Sequence, residues 1–247
     1  PWDIENGRMD LESLEGQDVV IHLAGANIAG RRWSPEYKRL IRESRIKGTQ
    51  LLCRNLMRLK QPPKMLLSAS AVGYYGNRSP SEILNESSSK GEGFLGDVCE
   101  QWEKAGQEAQ SFGIRVIPMR FGIILSRSGG ALAKMIPVFK LGLGGPLGSG
   151  QQIMSWVALA EIPYIILHLM EHSEIAGPVN VVSPQSVSNR EFTALLGQVL
   201  KRPAIFRVPA FLVSFLLSEM GRELLLSGAH VMPDVLNRTG YRFRYPD

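Results

Sequence analysis

Two cysteines, Cys53 and Cys99, are all that the 247 residues contain, and no CxxC spacing joins them. That excludes a disulfide framework and a thiolate metal cluster, and no metal is expected. No apolar run approaches the roughly 18 residues that span a bilayer, and no charged-then-apolar leader is read at the start. The expectation is a reducing, cytoplasmic compartment without membrane contact. Internal repeats, low-complexity tracts, helix-turn-helix patterns and RNA-binding signatures are missing too. The net charge is +5, but the cations are interleaved with acids, as in Lys38-Arg39-Leu40-Ile41-Arg42-Glu43. Nucleic acid is therefore not an expected partner. A glycine-rich phosphate turn ahead of the first strand signal is also lacking. Since the chain opens on Pro1-Trp2-Asp3 rather than Met, the expectation is that a βαβ unit bearing that turn lies upstream.

What is present is an ordinary globular composition, 44% hydrophobic and 21% charged, able to fill a core. The run Val19 to Leu23 reads as a buried strand and Pro35 to about Leu59 as an amphipathic helix, followed by Pro62-Pro63. Met65 to Ser70 reads as the next strand. Val98, Trp102, Ala105, Ala109 and Phe112 mark a helix that ends at Gly113, and Arg115 to Phe121 reads as a strand. This alternation predicts an α/β fold, a Rossmann-like doubly wound parallel sheet, with residues 1–150 as its ligand-binding domain. A smaller C-terminal lobe is expected over 151–247. Within it, a helix covers Ile162 to Met170, a strand near 178–183 returns to the sheet, and a second helix covers Asn189 to Leu200. From Pro203 on, the tail reads as apolar and helical.

The residues suited to chemistry cluster at strand ends. Ser68 and Ser70 close the second strand, where a hydroxyl can donate to a substrate carbonyl or simply satisfy backbone groups. Tyr74 and Tyr75 follow closely and are candidate acids. Ala24, Gly25 and Asn27, after the first strand, let a flat nucleotide approach the backbone, whereas His22 reads as a core residue. Arg31 and Arg32 suit phosphate, with Trp33 packed beneath them; a solvated loop with an anchoring Trp is the competing reading. Gly142 to Gly150 lacks the ending of a phosphate loop and reads as a mobile pocket wall.

Taken together, Val20 to Gly25, Ser44 to Thr49, Ser68 to Gly76, Arg120 to Leu125, Gly142 to Gly150, Ser155-Trp156-Val157 and Asn180 to Pro184 resemble the extended short-chain dehydrogenase/reductase superfamily. The likeness is nearest to its atypical epimerase family, the nucleoside-diphosphate-sugar epimerases of the "cell division inhibitor SulA"-like branch. The tail over 200–247 resembles that branch's short DUF1731-type C-terminal domain. The resemblance implies NADP or NAD as cofactor. It places Ala24 and Gly25 by the adenosine half, Ser68, Ala69 and Ser70 by the nicotinamide ribose, and Phe121, Gly122 and Ile123 near the nicotinamide. Ser70 falls at the superfamily's catalytic Ser/Thr. The partners implied are a dinucleotide and an unidentified small-molecule substrate; a homodimer is allowed.

The chain also departs from that pattern. Where the superfamily carries a Tyr and, four residues on, a Lys that lowers the Tyr pKa, this chain has Phe94 and Val98. Ala158 to Glu161 replaces the usual His and paired acids after the Trp. With the upstream turn absent, the 247 residues alone are expected to bind dinucleotide weakly. Two readings remain: an oxidoreductase or epimerase working without Tyr and Lys, or a non-catalytic dinucleotide sensor that binds a division-related protein partner.

Overall fold

The computed structural model describes residues 2–4 and 6–247. Four parallel strands, β1 (Val19–His22), β2 (Met65–Ala71), β3 (Arg115–Phe121) and β4 (Val179–Val181), form the central sheet in the order β4-β3-β2-β1. The inner strands β2 and β3 are almost wholly buried, as their apolar runs require. By contrast, β1 lies at the sheet edge with Ile21 and the following Leu23 exposed, not the buried strand expected over Val19 to Leu23. The 22-residue helix α1 (Pro35–Leu56) joins β1 to β2. Its start is set by Ser34, whose side chain accepts from the Tyr37 amide, and by Pro35 in the first turn. Helix α2 (Phe94–Gln107) precedes β3 and passes through a tighter turn, Glu108–Phe112, into Gly113 at φ +78, a left-handed position suited to glycine.

Side chains alternate across the sheet. Leu66 and Val116 pack with Leu52, Cys53 and Leu56 of α1. Met65, Leu67, Ile117 and Met119 pack on the other face with Ile162, Ile165 and Leu169. Those three belong to α4 (Ile162–Glu171), which follows α3 (Gly130–Lys140) in the chain. Helices on both faces make this the expected Rossmann-like α/β fold.

Past residue 151 the chain contributes to this core as well as to a separate cluster. Helix α5 (Asn189–Leu200) starts at a capping box formed by Ser188 and Glu191. It is followed by α6 (Ala210–Gly221) and α7 (Asp234–Arg238), and Leu236 of α7 lies in the core beside α4. Val208 bridges to Leu147, Gly148 donates its amide to Val208 at 2.8 Å, and Phe206 donates to Gly144 at 3.2 Å. The 142–150 segment expected as a mobile wall is thus fastened to the tail. Glu161, fully buried, accepts from the Tyr241 hydroxyl and from the amides of Arg244 and Tyr245 at 2.9 and 2.8 Å, pinning the chain's end. Among the described residues no helix is long and apolar enough to cross a membrane.

Candidate functional site at the strand ends

Two rows of side chains cross the sheet near its carboxyl edge on the α1/α2 face. In the first, His22 of β1 is level with Ser68 of β2. In the next, Ser70, Arg120 and Asn180 stand side by side on β2, β3 and β4. The second row is tied together from α2. Glu103 accepts from the Ser70 hydroxyl at 2.6 Å and from Arg120 through Nε and Nη2, both at 2.8 Å. Arg120 Nη1 donates to the Tyr75 hydroxyl at 2.9 Å, which donates to Asn180 Oδ1 at 2.7 Å. Charge pairing outweighs burial at Arg120 and holds its pKa above the usual value. A buried, bidentate Arg–carboxylate pair with its remaining lone pairs occupied fixes the geometry around it.

This network revises several expectations. The Ser70 proton points to Glu103 and the side chain is buried, so Ser70 is not free to donate to a substrate carbonyl. Tyr75 is not an acid of the site. It is fully buried, its hydroxyl is committed, and burial pushes its pKa up to about 12. Tyr74 is half-buried, with Arg120 over its ring at 3.6 Å, and its hydroxyl has no hydrogen-bond partner among the described residues. Ser68 is buried beneath α2 near Gly106, its Oγ unpartnered, rather than at the rim. Ala69 alternates to the α4 face, as does Phe121, which packs into the core there. His22 is a core residue as expected. Its Nε2 meets Thr49 Oγ1 at 2.9 Å, to which Trp102 Nε1 also donates, and burial lowers its pKa to about 4.

The rim itself is built of loops. Ala24, Gly25 and Asn27 are exposed, and the turn they form is held to α1 by Ser44, which takes the Ala26 amide, and by Arg45, which donates to the Ala26 carbonyl at 3.0 Å. Arg32 is exposed and donates to Ser218 Oγ at 2.5 Å, so it faces the tail rather than an open anion site. Trp33 is buried and donates to the Ile28 carbonyl. Gly122 and Ile123 lie where β3 runs into a second parallel ladder with Trp156–Ala158. A Cβ on Gly122 would stand 2.5 Å from the Ser155 carbonyl oxygen, so packing alone requires glycine there. Phe94 and Val98 are buried with Trp33 and Ile41, Phe94 edge-on to Trp33 at 5.0 Å.

Sequence reasoning missed Glu103, Arg45 and Glu223. The first reads as one more polar residue on an amphipathic helix. Glu223 acts through partners distant in the chain, and the contact of Arg45 with the rim, at Ala26, lies 19 residues back. A hollow of about 540 Å³ lies beside α5 at 194–205, away from this rim, and one of about 360 Å³ runs along β1 to His22.

Residues 208–247 match a domain of unknown function, DUF1731. Across 244 residues the chain is 39% identical to the epimerase family protein Mb2239 of Mycobacterium bovis, covering 99% of this chain and 80% of that protein. Among solved structures it resembles human epimerase family protein SDR39U1, isoform 2, crystallised with NADPH. The TM-score is 0.90 at 32% identity, over 97% of this chain and 83% of that one. A nucleoside-diphosphate sugar epimerase from Corynebacterium glutamicum matches at TM-score 0.79 and 32% identity, over 100% of this chain and 47% of that one.

Proposed function

The chain belongs to this epimerase family, and from that premise we propose that it binds NADPH at the carboxyl ends of β1, β2 and β3. There it serves a dinucleotide-dependent oxidoreductase or epimerase reaction on a small-molecule substrate. The observation that carries this reading is the likeness, along 97% of the chain, to a relative crystallised with NADPH. The residues at the rim fit such a ligand. Ala24 and Gly25 leave the backbone uncovered for a flat ring, and Arg45 beside them offers a cation to a phosphorylated molecule.

When bound, the dinucleotide supplies or accepts a hydride. The chain's own part is to hold the ligand, orient the substrate and move a proton. Ala24, Gly25 and Asn27 contact the cofactor through their loop, with Gly122 and Ile123 on the β3 side. Ser70, buried with its proton held by Glu103, fixes the end of β2 and the Arg120 side chain beside the ligand rather than meeting the substrate directly. Phe94 and Val98 carry no titratable group, so the Tyr74 hydroxyl, half-buried and unpartnered among the described residues, is the group that gives a proton to the substrate oxygen or takes one from it, exchanging it with water. The relatives from Mycobacterium bovis and human carry the epimerase family name, which favours this reading over a division-linked sensor.

Fluorescence titration of the full-length protein tests this reading. NADPH is expected to bind with micromolar Kd, about −8 kcal/mol. Affinities no better than millimolar for both NADPH and NADH would overturn it.

A further inference from the structure

Arg45 is a partly buried cation of the rim without a carboxylate partner among the described residues, whereas Arg31 and Arg32 of the same rim are exposed. Of the other cations nearby, Lys38 is paired with Glu219 at 2.8 Å and Arg120 with Glu103, while Arg32 meets only the Ser218 hydroxyl. Arg45 is half-buried between α1 and α2, its guanidinium carbon 5.0 Å from the Trp102 ring. One nitrogen, Nη1, donates to the carbonyls of Ala26 and Ile41 at 3.0 and 3.1 Å. Nε and Nη2 have no partner among the described residues, and the titratable groups that face it are the Cys99 thiol and the Tyr37 phenol, neither of them a carboxylate. Desolvation pulls its pKa down, the mark of a cation short of compensating charge. Above it the chain has Gly25, where a Cβ would stand 3.2 Å from the guanidinium carbon. A side chain at that position would crowd the guanidinium, whose Nη1 would be 3.4 Å from the same Cβ.

We infer that Arg45 is a ligand-binding residue whose free Nε–H and Nη2 donors take oxygen acceptors of the ribose–phosphate part of the dinucleotide through the gap at Gly25. This rests on the dinucleotide reading above. A guanidinium offers a planar fork suited to paired oxygens, and partial burial makes those bonds stronger than they would be in water. The carbonyls held by Nη1 fix the fork in place, so little side-chain freedom remains to be lost on binding.

The test compares wild type, Arg45→Met, Arg45→Lys and Gly25→Ala in the full-length protein, by NADPH titration and by melting with NADPH or inorganic pyrophosphate. Arg45→Met is expected to weaken NADPH at least tenfold with only a small fall in ligand-free Tm from the lost Ala26 and Ile41 contacts, and Arg45→Lys to recover part of the NADPH loss. Gly25→Ala, which crowds the fork, should weaken NADPH severalfold and keeps the test alive if Arg45→Met fails to fold. A pyrophosphate-induced rise in Tm that disappears in Arg45→Met assigns the acceptor to phosphate. No rise in either protein, with the NADPH loss intact, assigns it to ribose. NADPH affinity within threefold of wild type in Arg45→Met overturns the inference. If wild type binds no NADPH, the dinucleotide reading falls. The pyrophosphate arm then decides alone, an Arg45-dependent rise supporting an oxyanion site and its absence overturning it.

Discussion

Glu223 caps the helix that Phe94 begins, from 129 residues further along the chain. Its carboxylate accepts from the Phe94 and Leu95 amides at 2.8 and 3.0 Å, where Gly93 has no side chain to do so. Met220 and Leu224 pack beside Phe94, and Lys38 pairs with Glu219 close by. The tail segment is thereby locked over the helix that faces the site.

Glu223→Ala should cost about 1–2 kcal/mol, because two first-turn amides lose a charged acceptor that also complements the helix dipole. Urea unfolding measures this. Glu223→Gln, which keeps one acceptor oxygen, should lose less. Equal loss in both would mean that charge, not hydrogen bonding, sets the cap.

Phe94→Tyr with Val98→Lys is expected to destabilise the protein and bring no activity. The new ammonium would enter the apolar cluster of Trp33, Ile41 and Phe94, where Val98 is buried and the Glu223 and Glu219 carboxylates are already committed to the Phe94 amide and to Lys38. An unpaired buried charge costs several kcal/mol. A gain in NADPH-dependent reduction at unchanged Tm would refute this account of the face.

Breaking the Glu103–Arg120 pair from one side, as Arg120→Leu, should cost about 3–5 kcal/mol, since it strands a buried carboxylate. The double variant Glu103→Leu/Arg120→Leu should cost less than the two single losses added together. Additive losses in denaturant titration would show that the two side chains act independently.

Acid should weaken the fold through His22. Its pKa falls from 6.5 to about 4 on burial, so the unfolded chain binds the extra proton between those values. Stability is therefore full above pH 6.5 and declines as pH drops toward 4, by up to about 3 kcal/mol. In urea midpoints taken at pH 7.5 and 4.5, wild type should lose more than His22→Asn. Parallel losses would assign the acid sensitivity to other groups.

The elements with local signals were legible in the sequence. Asn189 to Leu200 is a helix with those limits because Ser188 and Glu191 make its cap within four residues, and β1, β2 and β3 stand out as continuous apolar runs. Helix α1 stops at Leu56, short of the expected Leu59, and α3 went unread, since two glycines open it and Pro137 interrupts its pattern. At the site, the strand-end position of Ser70 was legible but its hydrogen-bond direction was not. That direction depends on Glu103, which sits on α2 and meets Ser70 only once β2 and β3 are in register. Tyr75 reads as a neighbour of Tyr74, yet the turn after β2 sends one ring into the core and leaves the other half-buried under Arg120.

The most direct test of a dinucleotide site at the strand ends is hydrogen–deuterium exchange of the full-length protein with and without saturating NADPH. Protection is predicted in the turn at 24–27, at 71–74 after β2 and at 121–123 after β3, with α5 and the 201–205 turn unchanged. Saturating NADPH that leaves those three segments exchanging as in the free protein would contradict the account.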